Sequence, residues 1–408
     1  MNAPFGKGAA GRGIGAAKAK LEVVKRWFSA RKVSAETPLK EAIESRGRHQ
    51  ALEEKTWRLV QVESSLACNL SCIMCPWKSY RARALHRGVM QQEVWEAIRP
   101  ALGHARMVDF TGAGEPLLQP MLVQWMHDAK KAGCDVGLLT NGLLLTRERA
   151  HALIDVGIDW ICFSVDSPHK DEYERIRVGS SFAAVCKNIS FFTGEKPRGT
   201  KVMMNYVMME VNFHSIHDFV RLAAELGADQ INFRQCEHVR GEHGRGLGLF
   251  GKETTPDIRK REAALREACK LAAELGLETQ TAPFTPFEQC VCGQDPRDSL
   301  FVRYDGAISP CNSLAYGGPS VFLGEDVQFP EVICGRLPKD DLFAVWSSDS
   351  SRFYRDTFVE RCREYEKICV EAFVGDARLT PDGLLQTMRR RLPEPPPGCK
   401  VCHYLYGF

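Results

Sequence analysis

Between residues 57 and 236, short runs rich in β-branched, aromatic and methionine side chains alternate with stretches of helical periodicity. The runs are WRLVQVE (57–63), RMVDFTG (106–112), CDVGLLTNG (134–142), WICFSVD (160–166), KVMMNYVMM (201–209) and QINFRQC (230–236). Helical stretches between them include PMLVQWMHDAKKAG (120–133), RERAHALIDVG (147–157) and HSIHDFVRLAAELG (214–227). They close on Gly133, Gly157 and Gly227, positions that suit left-handed C-terminal caps. Alternation on this scale calls for a parallel sheet with helices outside it. Six units are too few for a closed eight-fold barrel of roughly 250 residues. A partial (β/α)6 TIM-like barrel and a doubly wound open sheet remain, and both put the ligand site at the C-terminal ends of the strands.

The rest of the chain has a different character. Residues 238–253 (HVRGEHGRGLGLFGKE) read as a Gly-rich loop and 256–276 as a helix. From 284 onward Pro, Cys and Gly become frequent and the alternation stops, which predicts a smaller cysteine-rich α+β domain over 284–408 beside a core over 57–283. Residues 1–56 form a basic N-terminal extension. Residues 1–35 carry eight Lys or Arg against one Glu, and Leu21, Val24, Trp27 and Phe28 share one face of a basic helix. That segment reads as a partly disordered, solubilising tail, or as a surface for an anionic partner, a membrane face or a leader peptide.

A net charge of +3 gives no reason to expect nucleic acid as a partner, and no run of 18 apolar residues reads as a membrane span. With no apolar secretory segment at the N-terminus, sixteen cysteines point to a reducing, cytoplasmic setting with some thiolates used as metal ligands. Cys134, Cys162, Cys186, Cys236 and Cys269 each sit alone in a strand-like or helix-like run and read as small buried hydrophobes.

Directly after the first strand, ESSLACNLSCIMCPW carries Cys68-x3-Cys72-x2-Cys75. Three soft thiolates on one short loop suit an iron–sulfur cluster or zinc. With no fourth local cysteine, a four-iron cluster keeps one iron open, as a catalytic centre requires. This motif after a first barrel strand resembles the radical SAM superfamily. The resemblance implies a [4Fe–4S] cluster on Cys68, Cys72 and Cys75 whose open iron chelates S-adenosylmethionine (SAM). It also implies reductive cleavage to a 5′-deoxyadenosyl radical that abstracts hydrogen from a substrate. Met74 stands where many members carry an aromatic residue.

Further motifs extend the likeness. Gly112-Ala113-Gly114-Glu115-Pro116 ends the second strand and resembles the family's GGEP-type motif, which implies contact with the methionyl ammonium through the backbone and Glu115. Glycines allow that close backbone approach. The third strand ends in Thr140-Asn141-Gly142 and the fourth in FSVD; both resemble the family's corresponding strand ends, which implies cofactor contact by Asn141 and ribose contact by Ser164. Arg177, in YERIRVG, falls where members carry an Arg near the cofactor carboxylate. Asn205 on the fifth strand points either way. His151, His214 and His217 read as surface or packing residues.

In the tail, the hairpin-like RYDGAISPCNS holds Cys311, and the final PPPGCKVCHYLYGF holds Cys399-x2-Cys402. With one upstream cysteine these make four thiolates, enough for a fully ligated cluster, with a structural zinc site as the competing reading. The arrangement resembles the SPASM domain in its shortened, twitch form. That likeness implies Cys292, Cys311, Cys399 and Cys402 as ligands of one auxiliary [4Fe–4S] cluster. Gly335, Trp346, Phe353, Tyr354 and Arg355 resemble the domain's GN…W…R stretch. Cys290 competes with Cys292 for the first ligand position, Cys334 has no assigned role, and an insertion over 356–395 carries Cys362 and Cys369, whose spacing on a helix favours packing.

The expected activity is that of a radical SAM oxidoreductase served by an electron donor such as flavodoxin or ferredoxin. Dehydrogenation, cross-linking and epimerisation all remain open. Its substrate is a peptide or a small molecule, and the lack of a recognisable peptide-recognition domain leans toward a small substrate or a separate carrier protein. The competing class is a non-catalytic iron–sulfur redox sensor or scaffold, in which Glu115, Ser164 and the glycines have no purpose.

Overall fold

A computed structural model describes residues 55–82, 84–236, 239–240, 244–249, 255–374 and 381–408. The expectations for residues 1–54, including the basic helix, lie outside the described residues. Those described fall into two compact units, 55–363 with 392–408, and 364–374 with 381–391.

The larger unit is built on a ten-stranded sheet and a smaller three-stranded one. Its strands are β1 (Trp57–Val62), β2 (Ala105–Asp109), β3 (Asp135–Thr140), β4 (Trp160–Ser164), β5 (Lys201–Met208), β6 (Gln230–Gln235), β7 (Val239–Arg240), β8 (Glu278–Thr281), β9 (Ser299–Val302), β10 (Ala307–Ser309), β11 (Gly318–Phe322), β12 (Glu325–Phe329) and β13 (Gly335–Arg336). The ten-stranded sheet runs β13-β10-β9-β1-β2-β3-β4-β5-β6-β8, and β12-β11-β7 make a second sheet. The six expected strands are adjacent and parallel in chain order. The architecture is a partial (β/α)6 TIM-like barrel followed by a smaller α+β region.

Three features extend that plan. The helix Thr255–Glu274 leads into β8, which adds a seventh parallel strand beyond β6. β9, from beyond residue 284, pairs parallel with β1 on the other side. Part of the Gly-rich segment forms β7, paired with β11.

Helices pack on one face of the sheet because the strands bury alternate residues there. Along β5, Val202, Met204, Tyr206 and Met208 are fully buried, while Met203, Asn205 and Val207 are only half-buried on the opposite face. Phe219 of the helix Ile216–Glu225 packs against Tyr206, and Trp95 of the helix Gln92–Ile98 stacks on Trp125 of the helix Leu122–Lys131. Each such buried side chain contributes about 1.5–3 kcal/mol. Gly133, Gly157 and Gly227 take positive φ after their helices, as the sequence predicts. Among the described residues no helix is long and apolar enough to cross a membrane.

In the smaller unit, the end of the helix Asp349–Val374 and the helix Pro381–Arg391 are joined by Arg391, which pairs with Glu364 at 2.6 Å and with Glu371. These pairs are exposed and add little stability.

Candidate active site

The loop after β1 is fixed by backbone bonds before any side chain is considered. Leu66 and Ala67 donate to the Gly88 carbonyl, Ser71 to Val178 and Ile73 to Ile176. The loop after β2 docks onto it. Glu115 donates its N–H to the Ala67 carbonyl at 2.8 Å, and a Cβ on Gly114 would stand 2.4 Å from both the Ser65 and Ala67 carbonyl oxygens. Only glycine fits there, which gives the GAGEP spacing a steric cause.

Glu115 is 1 % exposed and organises the neighbouring strand end. Its carboxylate accepts from the Thr140 hydroxyl at 2.7 Å, the Asn141 N–H at 2.8 Å and the Leu117 N–H at 3.1 Å. Burial pushes its pKa up, and these donors pull it back. Asn141 in turn donates to Asn69 Oδ1 at 2.9 Å and toward Cys68 Sγ at 3.9 Å.

Each of the three thiols has a separate side-chain donor. Asn141 faces Cys68, Arg177 Nη1 stands 3.9 Å from Cys72 Sγ, and Arg81 Nη2 stands 3.2 Å from Cys75 Sγ. Arg81 also donates to the Ala113 carbonyl at 2.8 Å, tying the GAGEP loop to the cysteine loop. Arg177 is held by Asp166 through Nε at 2.7 Å and Nη2 at 2.6 Å. Burial opposes the Arg177 charge, but Asp166 and Cys72 raise its pKa further. Asp166 is itself fixed by the Val207 N–H. Ser164 is buried at the end of β4, in register with Asn205 of β5. Arg81 carries no motif, Asn69 and Asp166 sit inside motifs that assign them no role, and only the folded chain brings the three to the thiols.

The site suits a cluster on the chemistry of its donors. Cys68 and Cys72 each feel the charge of Cys75, so the three thiols share one region. Burial raises both, Cys72 to about 11, so a bound metal must displace their protons. Among the described residues no three Cys, His, Asp or Glu side chains converge on a single-ion site. Thiolates on different irons of one cluster likewise stand apart from one another. Asn69 Nδ2, a buried donor within this loop, has no hydrogen-bond partner among the described residues.

In the tail, Cys399 feels the charges of Cys292, Cys311 and Cys402, and Cys311 feels Cys402 and Cys292. Burial raises all three thiols, Cys292 to about 12. Backbone N–H groups of Gln294 and Asp295 point at Cys292, and those of Ser313 and Leu314 at Cys311. The surrounding shell is Leu314, Phe329, Tyr354, Phe358 and Leu405. Tyr354 also borders Cys334. Cys290 faces elsewhere, its thiol hydrogen-bonded to Cys362. Fully buried Arg361 binds the carbonyls of Gln289, Cys290 and Pro393 and the Glu288 carboxylate, clamping the last segment to the Cys290–Cys292 loop. Arg355 stacks over the Trp346 ring at 4.3 Å. Cys369 bonds with Tyr365. Cys134, Cys162 and Cys236 are buried, while Cys186 and Cys269 are half-buried.

Residues 62–223 match the family model of the radical SAM superfamily. That stretch is a radical SAM domain. It is 22% identical over 328 residues to the tungsten-containing aldehyde ferredoxin oxidoreductase cofactor-modifying protein of Pyrococcus furiosus, covering 78% of this chain and 88% of that protein. It is 28% identical over 255 residues to the PqqA peptide cyclase of Ruegeria pomeroyi, covering 60% and 65%. The fold is similar to that of Streptococcus suis SuiB bound to precursor peptide SuiA, with a TM-score of 0.53 at 15% identity over 83% of this chain and 78% of that one. Proteins with this domain use a [4Fe–4S] cluster to cleave SAM reductively and abstract hydrogen from a substrate, and this chain is read as such an enzyme.

Proposed function

We propose that this radical SAM enzyme is an oxidoreductase acting on a peptide. Cys68, Cys72 and Cys75 would hold the SAM-binding cluster. Gly112, Gly114, Glu115, Asn141, Ser164 and Arg177 would hold SAM, and Cys292, Cys311, Cys399 and Cys402 the auxiliary cluster. When bound, these groups supply the low-potential electron, the 5′-deoxyadenosyl radical and an outlet for the substrate's second electron. The protein's own part is orientation. Arg81, Arg177 and Asn141 aim donors at the three sulfurs, and hydrogen bonds to cluster sulfurs tune potential. Glu115 spends three of its lone-pair sites on the protein and keeps capacity for an ammonium.

The observation that carries this reading is the single half-buried loop that pairs each of three thiols with its own donor while docking on the GAGEP turn. A peptide substrate is favoured over a small molecule by the peptide cyclase relative and by the peptide-bound structural neighbour. Sixteen free thiols suit a cytoplasmic setting, with flavodoxin or ferredoxin as donor.

The test is anaerobic reconstitution followed by dithionite and SAM, with 5′-deoxyadenosine quantified beside a Cys68/Cys72/Cys75→Ala variant. Deoxyadenosine from the wild type alone supports the assignment. Equal yields from both, or none from iron-loaded and reducible wild type, would sink it.

A further inference from the structure

The face of β1–β6 and β8 turned away from the helices is polar, and its register is explicit. Gln61 pairs with Asp109, Cys162 with Met203, Ser164 with Asn205, Asn205 with Asn232, Val207 with Arg234 and Asn232 with Gln280. Strand alternation puts these side chains on the inner face, with Asp109, Ser164 and Arg234 at or next to the C-terminal ends of their strands. Contacts between them confirm the shared surface. Gln61 Nε2 bonds to Asp109 at 3.3 Å, and Asn232 Nδ2 to Asn205 Oδ1 at 2.8 Å and toward Cys162 Sγ at 3.8 Å. The charges of Arg234 and Asp109 both act on Cys162, from β6 and β2. The floor is closed by the Trp160 ring, which lies where a Cβ on Gly137 would be, 2.1 Å away.

This surface has unfilled hydrogen-bonding capacity. Asp109 Oδ1 and Trp160 Nε1 are buried without a partner. Arg234 donates only to the neutral Gln280 Oε1, at 2.8 Å, and makes no ion pair among the described residues. Asp109 is not its partner, since burial and bonds to Thr111 and Gln61 account for that carboxyl. Arg177, by contrast, is already committed to Asp166. A half-buried guanidinium with planar, forked donors and no acid is a carboxylate receptor.

We propose that Arg234 is a specificity-determining residue that binds a carboxylate of the substrate on the inner barrel face. The inference rests on the peptide reading above. Two parts of a peptide offer that group: an acidic side chain and the C-terminus.

The test uses full-length, reconstituted, SAM-loaded enzyme and two probe pairs read by calorimetry. One pair is Ac-Ala-Glu-Ala-NH2 against Ac-Ala-Gln-Ala-NH2, and the other Ac-Ala-Ala with a free acid against its amide. Wild type should bind the acid of at least one pair about tenfold tighter, the scale of one charge-assisted hydrogen bond. The pair that discriminates identifies the source. Arg234→Gln should abolish the preference and Arg234→Lys should keep part of it, with SAM affinity shifted less than about twofold. No acid preference in wild type overturns the proposal. So does an Arg234→Gln variant that loses SAM affinity in parallel, which would make Arg234 a cofactor residue. Binding is read without turnover, so failure of deoxyadenosine production counts against the radical assignment separately.

Discussion

Asp109 gives a pH dependence whose sign and size follow from its position. Burial pushes its folded-state pKa up to about 7, against about 3.9 for an unfolded Asp. Between those values the folded chain keeps a proton that the unfolded chain has released. This contribution to stability is therefore present at low pH and is lost as pH rises through 7. From pH 5.5 to pH 8.5 the loss amounts to about 2 kcal/mol. Asp109→Asn keeps a partner for Gln61 and does not titrate. At about 2.1 cal/mol/K per residue of unfolding entropy, a chain of this length converts that difference to roughly 2–3 °C in Tm. Anaerobic calorimetry of reconstituted wild type and variant at both pH values should show the variant gaining that margin at pH 8.5 relative to its difference at pH 5.5. Parallel pH trends in the two proteins would refute the raised pKa, and with it the burial of this carboxyl in a poorly solvated inner face.

Three further outcomes follow from the site. Glu115→Ala strands three donors, at about 1–3 kcal/mol each, and should weaken SAM binding in an electron paramagnetic resonance titration of the reduced cluster. Gly114→Ala drives a Cβ into two backbone carbonyls that cannot swing aside, so it should cost about 1–3 kcal/mol or more and lower iron incorporation on the Cys68 loop. Cys290→Ser with Cys362→Ser should leave iron and sulfide per chain unchanged, whereas Cys292→Ser should lower both, because Cys290 faces Cys362 and Cys292 faces Cys402.

The six core strands are legible because burial writes short runs rich in apolar residues into the sequence, alternating in β5 and nearly continuous in β4. The polar β8, ETQT, and the parallel pairing of β9 with β1 are not, since an edge strand needs little apolar content and a pairing across some 240 residues leaves no local trace. The helix Phe182–Glu195 is weakly marked in the sequence although Ser181 caps it, its mixed composition weakening the periodicity. Cys68, Cys72 and Cys75 announce themselves by spacing. Arg81 does not, because it reaches Cys75 and Ala113 only once the chain has turned back on itself. The choice between Cys290 and Cys292 is equally invisible in sequence: they lie two residues apart, and the loop conformation alone sends them to different partners.

Glu63 joins the two ends of this architecture. It is fully buried, and its carboxylate accepts from the Ala113 N–H at 2.8 Å, the Tyr304 N–H at 3.2 Å and the Tyr316 hydroxyl. Its stem fills the space where a Cβ on Gly112 would sit, 2.4 Å away. Tyr316 also packs against Trp77 and Tyr80, just past Cys75. One carboxylate thus fixes the GAGEP loop and the hairpin that bears Cys311. A chain ending at residue 283 would lose Tyr304 and Tyr316 as well as the β9 pairing with β1, leaving Glu63 buried with one donor. An under-solvated carboxylate of that kind costs several kcal/mol, relieved only if the loop opens. The truncated chain should therefore take up less than a full cluster at Cys68, Cys72 and Cys75 and show no SAM-induced change in its resonance spectrum. A truncated chain with an intact SAM response would mean that the core loop holds its shape without the tail, and that Glu63 couples nothing.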